Sequence, residues 1–530
     1  PEFTVELHIS FNCLVNRIEI SGYILSLEDK NSGKGYRFTY VHNPYNACLF
    51  AFNEECVKTY HTFQLSTDEP AHTWIPVRIS LYLKKNQAEF SFGNQRHLIT
   101  DIELTNNKFS PGIYFGLYGH LLDMASFSIQ NFTVADSKRK WAFPLNESEG
   151  EDVHDSEGNI LGSVVNPVWL INKAYHWKEL FELNSDTPMG LAFDTIGQQV
   201  LMFKKDSLYR YDIIKEEILA HKYKNESPVQ ITLGMNFLDT DANELYAYEI
   251  NNVPDGEPTF AALNLESLDW RTTGRDDIDR HRHHHTSFFN PHEKTLIVFG
   301  GYGNRSYYNN FLNYNIKEDH WDTLTVSGDR IEPRYFMGMG VTPDYQRLYI
   351  YGGMGNESGN QDVGRNYYYD LYQVDMETKN IRKLWTQEAP GVNKVVARNM
   401  IITPDEDYIY MLRYPEYLQE SYIQLYKVKI ADGSAEVVGD SIPLISEEIA
   451  TNANLFYSSK LNRFLCSIQE FTDQGTTSAR VFSISAPPVS LTAVKYYNSL
   501  SPKNSLNAKC LFLLGALVII FIIILLFSHK

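Results

Sequence analysis

The chain has 530 residues and only five cysteines, Cys13, Cys48, Cys56, Cys466 and Cys510, with no CxxC pair and no metal-ligand spacing among them. That excludes dithiol redox chemistry and a cysteine zinc site, while Cys48 and Cys56 read either as a bridge or as two isolated buried thiols. Basic residues are scarce: 47 Lys and Arg stand against 65 Asp and Glu, a net charge of −18. Affinity for nucleic acid rests on phosphate neutralisation by basic side chains, so no nucleic acid is expected as a partner of this portion. No Ser-His-Asp set, phosphate loop or paired-carboxylate spacing occurs, so no enzymatic activity and no cofactor are expected. The chain begins Pro1-Glu2-Phe3 without an initiator Met or an apolar leader, and is expected to be a piece of a longer protein.

What is abundant is aromatic. Phe, Trp and Tyr make up 14% of residues, with 35 Tyr, a composition that suits β-structure and also suits binding of sugar faces. The length is too great for one core, so two or three domains are expected.

The organising stretch is 281–385, which holds two consecutive units of one repeat. The apolar strand Leu296-Ile297-Val298-Phe299 runs into Gly300-Gly301, and the unit closes on Trp321. Leu348-Tyr349-Ile350-Tyr351 runs into Gly352-Gly353, and that unit closes on Ile381. A glycine pair ending an apolar strand provides the φ > 0 of a tight turn. Aligning on the Asp or Asn that ends the third strand, with a large apolar residue six positions on, gives Asp212 with Ile218, Asn264 with Trp270, Asn315 with Trp321 and Asp375 with Ile381. Lys429 and Ser485 hold the same place in two degraded copies. The spacing of roughly 50 residues is that of a four-stranded propeller blade, and six blades are predicted. Two segments compete for the strand that closes the ring: Trp177 to Leu183, favoured by Trp177, and Leu491 to Tyr497.

The double glycines, Trp270 and Trp321, and Pro333-Arg334 and His285 at first-strand starts make residues 175–497 resemble a kelch, or galactose-oxidase-type, β-propeller. Residues 1–135 alternate apolar and polar in short runs such as Val77 to Leu83 and Ala88 to Phe92, a two-faced pattern that predicts a sandwich. This segment resembles a laminin-G or concanavalin-like jelly roll. Residues 136–174 read as a connector packed on both domains, and 498–509 as a polar linker. Residues 511–527 carry no charge or strong hydrogen-bonding side chain, so 510–528 is predicted to be a transmembrane helix. The fold class expected is therefore all-β, a jelly-roll sandwich plus a six-bladed kelch-type propeller, with one C-terminal membrane span.

The resemblance to kelch proteins implies that first strands line the central channel. The candidate ligand-binding residues are accordingly His283, His285, Arg334, Tyr335, Arg365, Arg398 and Asn399. His281, His283 and His285 alternate on one strand face and so could hold a metal, but contacts at the channel mouth fit their place better, and no metal is expected. A radical-copper enzyme of the galactose-oxidase kind is not supported, because the one propeller cysteine, Cys466, lies in a strand. Jelly roll, propeller and single span together resemble the sensory half of membrane-bound transcriptional regulators of gut Bacteroidetes. That resemblance implies an extracytoplasmic sensor on a single-pass membrane protein, binding a glycan or protein ligand and signalling to a DNA-binding module beyond the span, with a homodimer among the expected assemblies. The alternatives are a tail-anchored scaffold that binds a protein partner in the cytosol, and a propeller enzyme acting on sugars.

Overall fold

The computed structural model describes residues 1–11, 21–41, 48–54, 57–65, 73–104, 109–116, 123–274, 281–389, 391–446, 452–472 and 474–494. The linker 498–509 and the span 510–528 lie outside the described residues, as do Cys13, Cys56 and Cys510. Among the described residues no helix is long and apolar enough to cross a membrane.

The N-terminal part is two antiparallel sheets. One has six strands in the order Lys140–Phe143, Phe127–Asp136, Phe3–Phe11, Ile75–Tyr82, Gln87–Phe92, Gln95–Ile99. The other has five, in the order Lys58–Leu65, Cys48–Glu54, Gly35–Val41, Gly22–Asp29, Pro111–Phe115. Alternate residues of each strand point into one shared core. Rings from the two sheets meet there, Phe38 lying 4.8 Å from Phe90 and 5.2 Å from Phe92. Phe127–Asp136 ends next to the expected boundary at residue 135, and Lys140–Phe143 of the connector adds a further strand to the sheet, because Phe143 stacks on Phe132 at 4.9 Å and so is drawn into the same core.

The open edges of the two sheets meet at His61 and His97, whose imidazoles stack at 3.8 Å, 9° from parallel. Burial, and then the charge of His97, lower the His61 pKa. A group with a depressed folded-state pKa stabilises fully above its unfolded value, about 6.5, and loses that contribution as pH falls through the folded value. Hydrogen exchange in Lys58–Leu65, corrected for intrinsic rate, is therefore expected to speed up on going from about pH 7.5 to about 5.5. His61→Gln should remove that pH dependence; unchanged exchange in the wild-type strand would refute it.

From residue 178 onward the chain builds six blades of four antiparallel strands, those of blades four and five being joined into one larger sheet by a parallel bridge between their first strands. Their third strands end on Asp212, Asn264, Asn315, Asp375, Lys429 and Ser485, the residues on which the repeat aligns. The reason for Asp or Asn there is local. Its Oδ1 accepts backbone N–H groups of the following turn, from Ile214 and Lys215 at Asp212 and from Glu266 and Ser267 at Asn264, all between 2.8 and 3.1 Å. The fourth residue after each of the first five is left-handed, at Glu216, Leu268, Asp319, Lys379 and Gly433. The two glycine pairs are left-handed too. A Cβ on Gly301 would stand 2.7 Å from Arg282 Cγ, and one on Gly353 would stand 2.7 Å from Tyr335 O, so glycine lets the turn press against the start of the neighbouring first strand.

Blade six is Asn452–Ser458, Arg463–Phe471 and Thr477–Ser485, completed on its outer edge by Lys178–Ser185. The early strand thus closes the ring, while Leu491–Ala493 is one turn of 3-10 helix. A short helix, Leu170–Tyr175, joins sandwich to propeller. The chain leaving blade six returns to it, Val489 N donating to Ala174 O at 3.0 Å, and Asn146 Nδ2 donates to Ala493 O at 3.1 Å.

Candidate functional site

First strands form the innermost layer, as Met339 of blade four bridges directly to Asn399 of blade five. Every first strand starts on what is here called the upper face, with the loops between second and third strands, and ends at a hairpin on the lower face.

The upper face carries an aromatic cluster. Tyr335 and Tyr307 stack at 5.3 Å, and Tyr302 lies 5.4 Å from Tyr335. Arg365 is exposed and donates through Nη1 to the Tyr335 hydroxyl at 3.2 Å. Next to it, Tyr367 donates to the carboxylate of buried Glu416, whose pKa burial raises. His283 is locked by backbone pairing with Tyr302, at 2.8 and 2.9 Å, and sets its ring edge-on to that tyrosine at 4.9 Å. Arg280, Asp276, Asp277 and Asp279 lie outside the described residues, and among those described no His, Cys, Asp or Glu cluster is shaped for a metal.

Two of the expected contacts are placed otherwise. Arg334 is wholly buried. Its guanidinium forks onto Asp370 at 2.6 and 3.3 Å, donates to Gly352 O at 3.0 Å and Glu332 O at 2.9 Å, and lies 4.0 Å from the Tyr368 ring centre. Its donors are directed into the protein, so it holds blade four rather than a ligand. His285 is buried as well, with Nε2 3.1 Å from the Tyr248 hydroxyl, which donates to Ser287 Oγ at 2.9 Å. Burial, reinforced by the charge of Arg398, keeps its pKa well below the usual histidine value, so this imidazole is neutral near pH 7.

The remaining two line the propeller axis. Register in the first strand of blade five shifts between Val396, opposite Arg413, and Met400, opposite Met411. A bulge of this kind re-aims side chains, and Arg398 and Asn399 face an axial cavity of about 930 Å³. That cavity is walled by the first strands of all six blades and by lower-face turn residues such as Thr195, Pro291, Tyr345 and Pro404. It therefore reaches the face opposite the aromatic cluster. The sequence points to Arg398 through its place at or near the entry of a blade. Ser287 and Tyr248 escape notice because nothing local distinguishes them from ordinary strand residues.

Cys466 is buried on blade six, and burial pushes its thiol pKa up, away from any thiolate chemistry.

Residues 243–419 match the family described as the KLHDC2/KLHL20/DRC7 Kelch-repeats domain. The match runs from the second strand of blade two to the loop before the third strand of blade five, so the kelch-type part of the β-propeller spans those blades.

Proposed function

We propose, starting from a kelch-type propeller, that this chain is a recognition protein without enzymatic activity and that its upper face binds a protein partner. The observation that carries this reading is the exposed Arg365 guanidinium held on the Tyr335 hydroxyl beside the rings of Tyr302 and Tyr367. Tyr and Arg are the residues that concentrate binding energy at protein interfaces, because rigid rings and a planar fork lose little freedom on contact. Tyr417 and Leu418, 43% and 44% exposed in the adjoining loop of blade five, extend the apolar part of that surface.

A membrane-anchored sensor is the second reading, favoured by the uncharged apolar run 511–527. In that reading the binding event on the propeller is passed through 510–528, and self-association of the chain is its means.

Photocrosslinking tests the first reading. A benzoylphenylalanine placed at position 417 should give a discrete protein adduct that Arg365→Ala weakens, and the same probe at position 345 on the lower face should not. An adduct between two copies of the chain would assign the face to self-association instead. If both positions crosslink alike, or neither does, the proposed face is wrong. The purified chain should release no product from simple sugars or oligosaccharides; turnover would refute the non-enzymatic part.

A further inference from the structure

We propose that the axial cavity is a separate binding site, opening on the lower face, and that it takes a small organic monocarboxylate with an apolar tail. Its volume, about 930 Å³, lies in the range of small-molecule pockets. Each blade supplies an apolar wall residue: Phe193, Phe237, Phe288, Met339, Ile401 and Phe456. Such a wall binds an apolar body by removing it from water.

The charge comes from Arg398. Arg398 lines the cavity, and its guanidinium makes no hydrogen bond or ion pair among the described residues. Burial lowers its pKa below the usual arginine range, which fits a cation without a compensating acid. Glu249, whose charge is felt there, forms no ion pair with it, and its Oε1 accepts the N–H groups of Ile250 and Asn251 at 3.0 Å each. A guanidinium in a cavity with apolar walls is costly unless an anion meets it, and its planar fork matches a carboxylate. Ser287, which also lines the cavity, can add a second donor, because its oxygen receives the Tyr248 proton and its own hydroxyl hydrogen remains to be donated.

One cation also selects the class of anion. Arg398 is the one basic residue among those that line the cavity, and His285, which feels its charge, stays neutral. A phosphate ester would bring a second negative charge with nothing to balance it, whereas a carboxylate brings one.

The test uses the full chain in detergent micelles and isothermal titration with three probes: 3-phenylpropionate, 3-phenylpropan-1-ol and phenyl phosphate. The acid should bind, with the alcohol and the phosphate ester each weaker by about tenfold or more, the scale of a charged hydrogen bond. Arg398→Met keeps the apolar stem and should erase the preference for acid over alcohol. Without ligand that variant should melt at a higher temperature than the wild type, since an uncompensated charge is gone. Phe288→Ala combined with Phe456→Ala removes two rings of the apolar wall and should weaken acid and alcohol together, while Arg365→Ala on the upper face should leave both unchanged. The proposal is overturned if the acid does not bind, if acid and alcohol bind alike, if Arg398→Met retains the preference, or if the double alanine variant binds both as tightly as the wild type.

Discussion

Asp370→Ala is expected to lower the stability of the propeller by about 3–5 kcal/mol, the usual cost of leaving one member of a buried ion pair alone. Arg334 has no exposed side-chain surface, and Asp370 is 4% exposed. Lys383, which also approaches Asp370 at 3.5 Å, is 41% exposed and can turn to water. Arg334 has no such option, because its other donors are fixed on Gly352 O and Glu332 O. The double variant Arg334→Met with Asp370→Leu should recover most of the loss, since apolar groups of similar volume commonly replace a buried pair without penalty. Urea unfolding of the single and double variants measures the coupling. If Asp370→Ala stays within about 1 kcal/mol of the wild type, the guanidinium has found solvent. Arg334 would then return as a ligand contact.

The second large effect is at Trp321. The side chain is 6% exposed on the outer strand of blade three, and its ring lies 5.1 Å from both Phe260 of blade two and Tyr314 of its own blade. Truncation to Ala opens a void between two blades and is expected to cost about 3–5 kcal/mol. Blade one supplies the control. Ile218 holds the same repeat position but is 45% exposed, so Ile218→Ala should change stability by no more than about 0.5 kcal/mol. Equal losses at the two sites would mean that repeat position, rather than burial between blades, sets the energy.

These pairs also mark what a sequence can reveal. The third-strand ends at Asp212, Asn264, Asn315 and Asp375 are legible because their chemistry is local: one side-chain oxygen accepts the turn that follows. The closing strand is legible through Trp177, next to Lys178–Ser185. Arg334 is not, because an arginine that binds a carboxylate ligand and one that binds Asp370, 36 positions on, are the same residue in the same motif. The axial cavity is hidden for another reason. Phe288, Met339 and Phe456 sit in apolar strands that read as ordinary core, and only the closing of six blades into a ring leaves space between them. Arg398 and Asn399 are legible through their place at or near the entry of a blade, but the bulge that aims them inward has no local signature.

The ring closure has a mechanical consequence. Lys178 pairs with Ser483, so the strand arriving from the sandwich and the strand leaving toward Val494 end side by side. A pull between the sandwich and the C-terminal segment first strains the clasp of Ala174 on Val489 and Asn146 on Ala493. Once the clasp yields, tension peels the two strands apart from the Lys178 end one hydrogen bond after another, a geometry that resists far less than sliding them lengthwise. The other five blades stay off the line of force, and blade six is the seam along which the circle opens under tension.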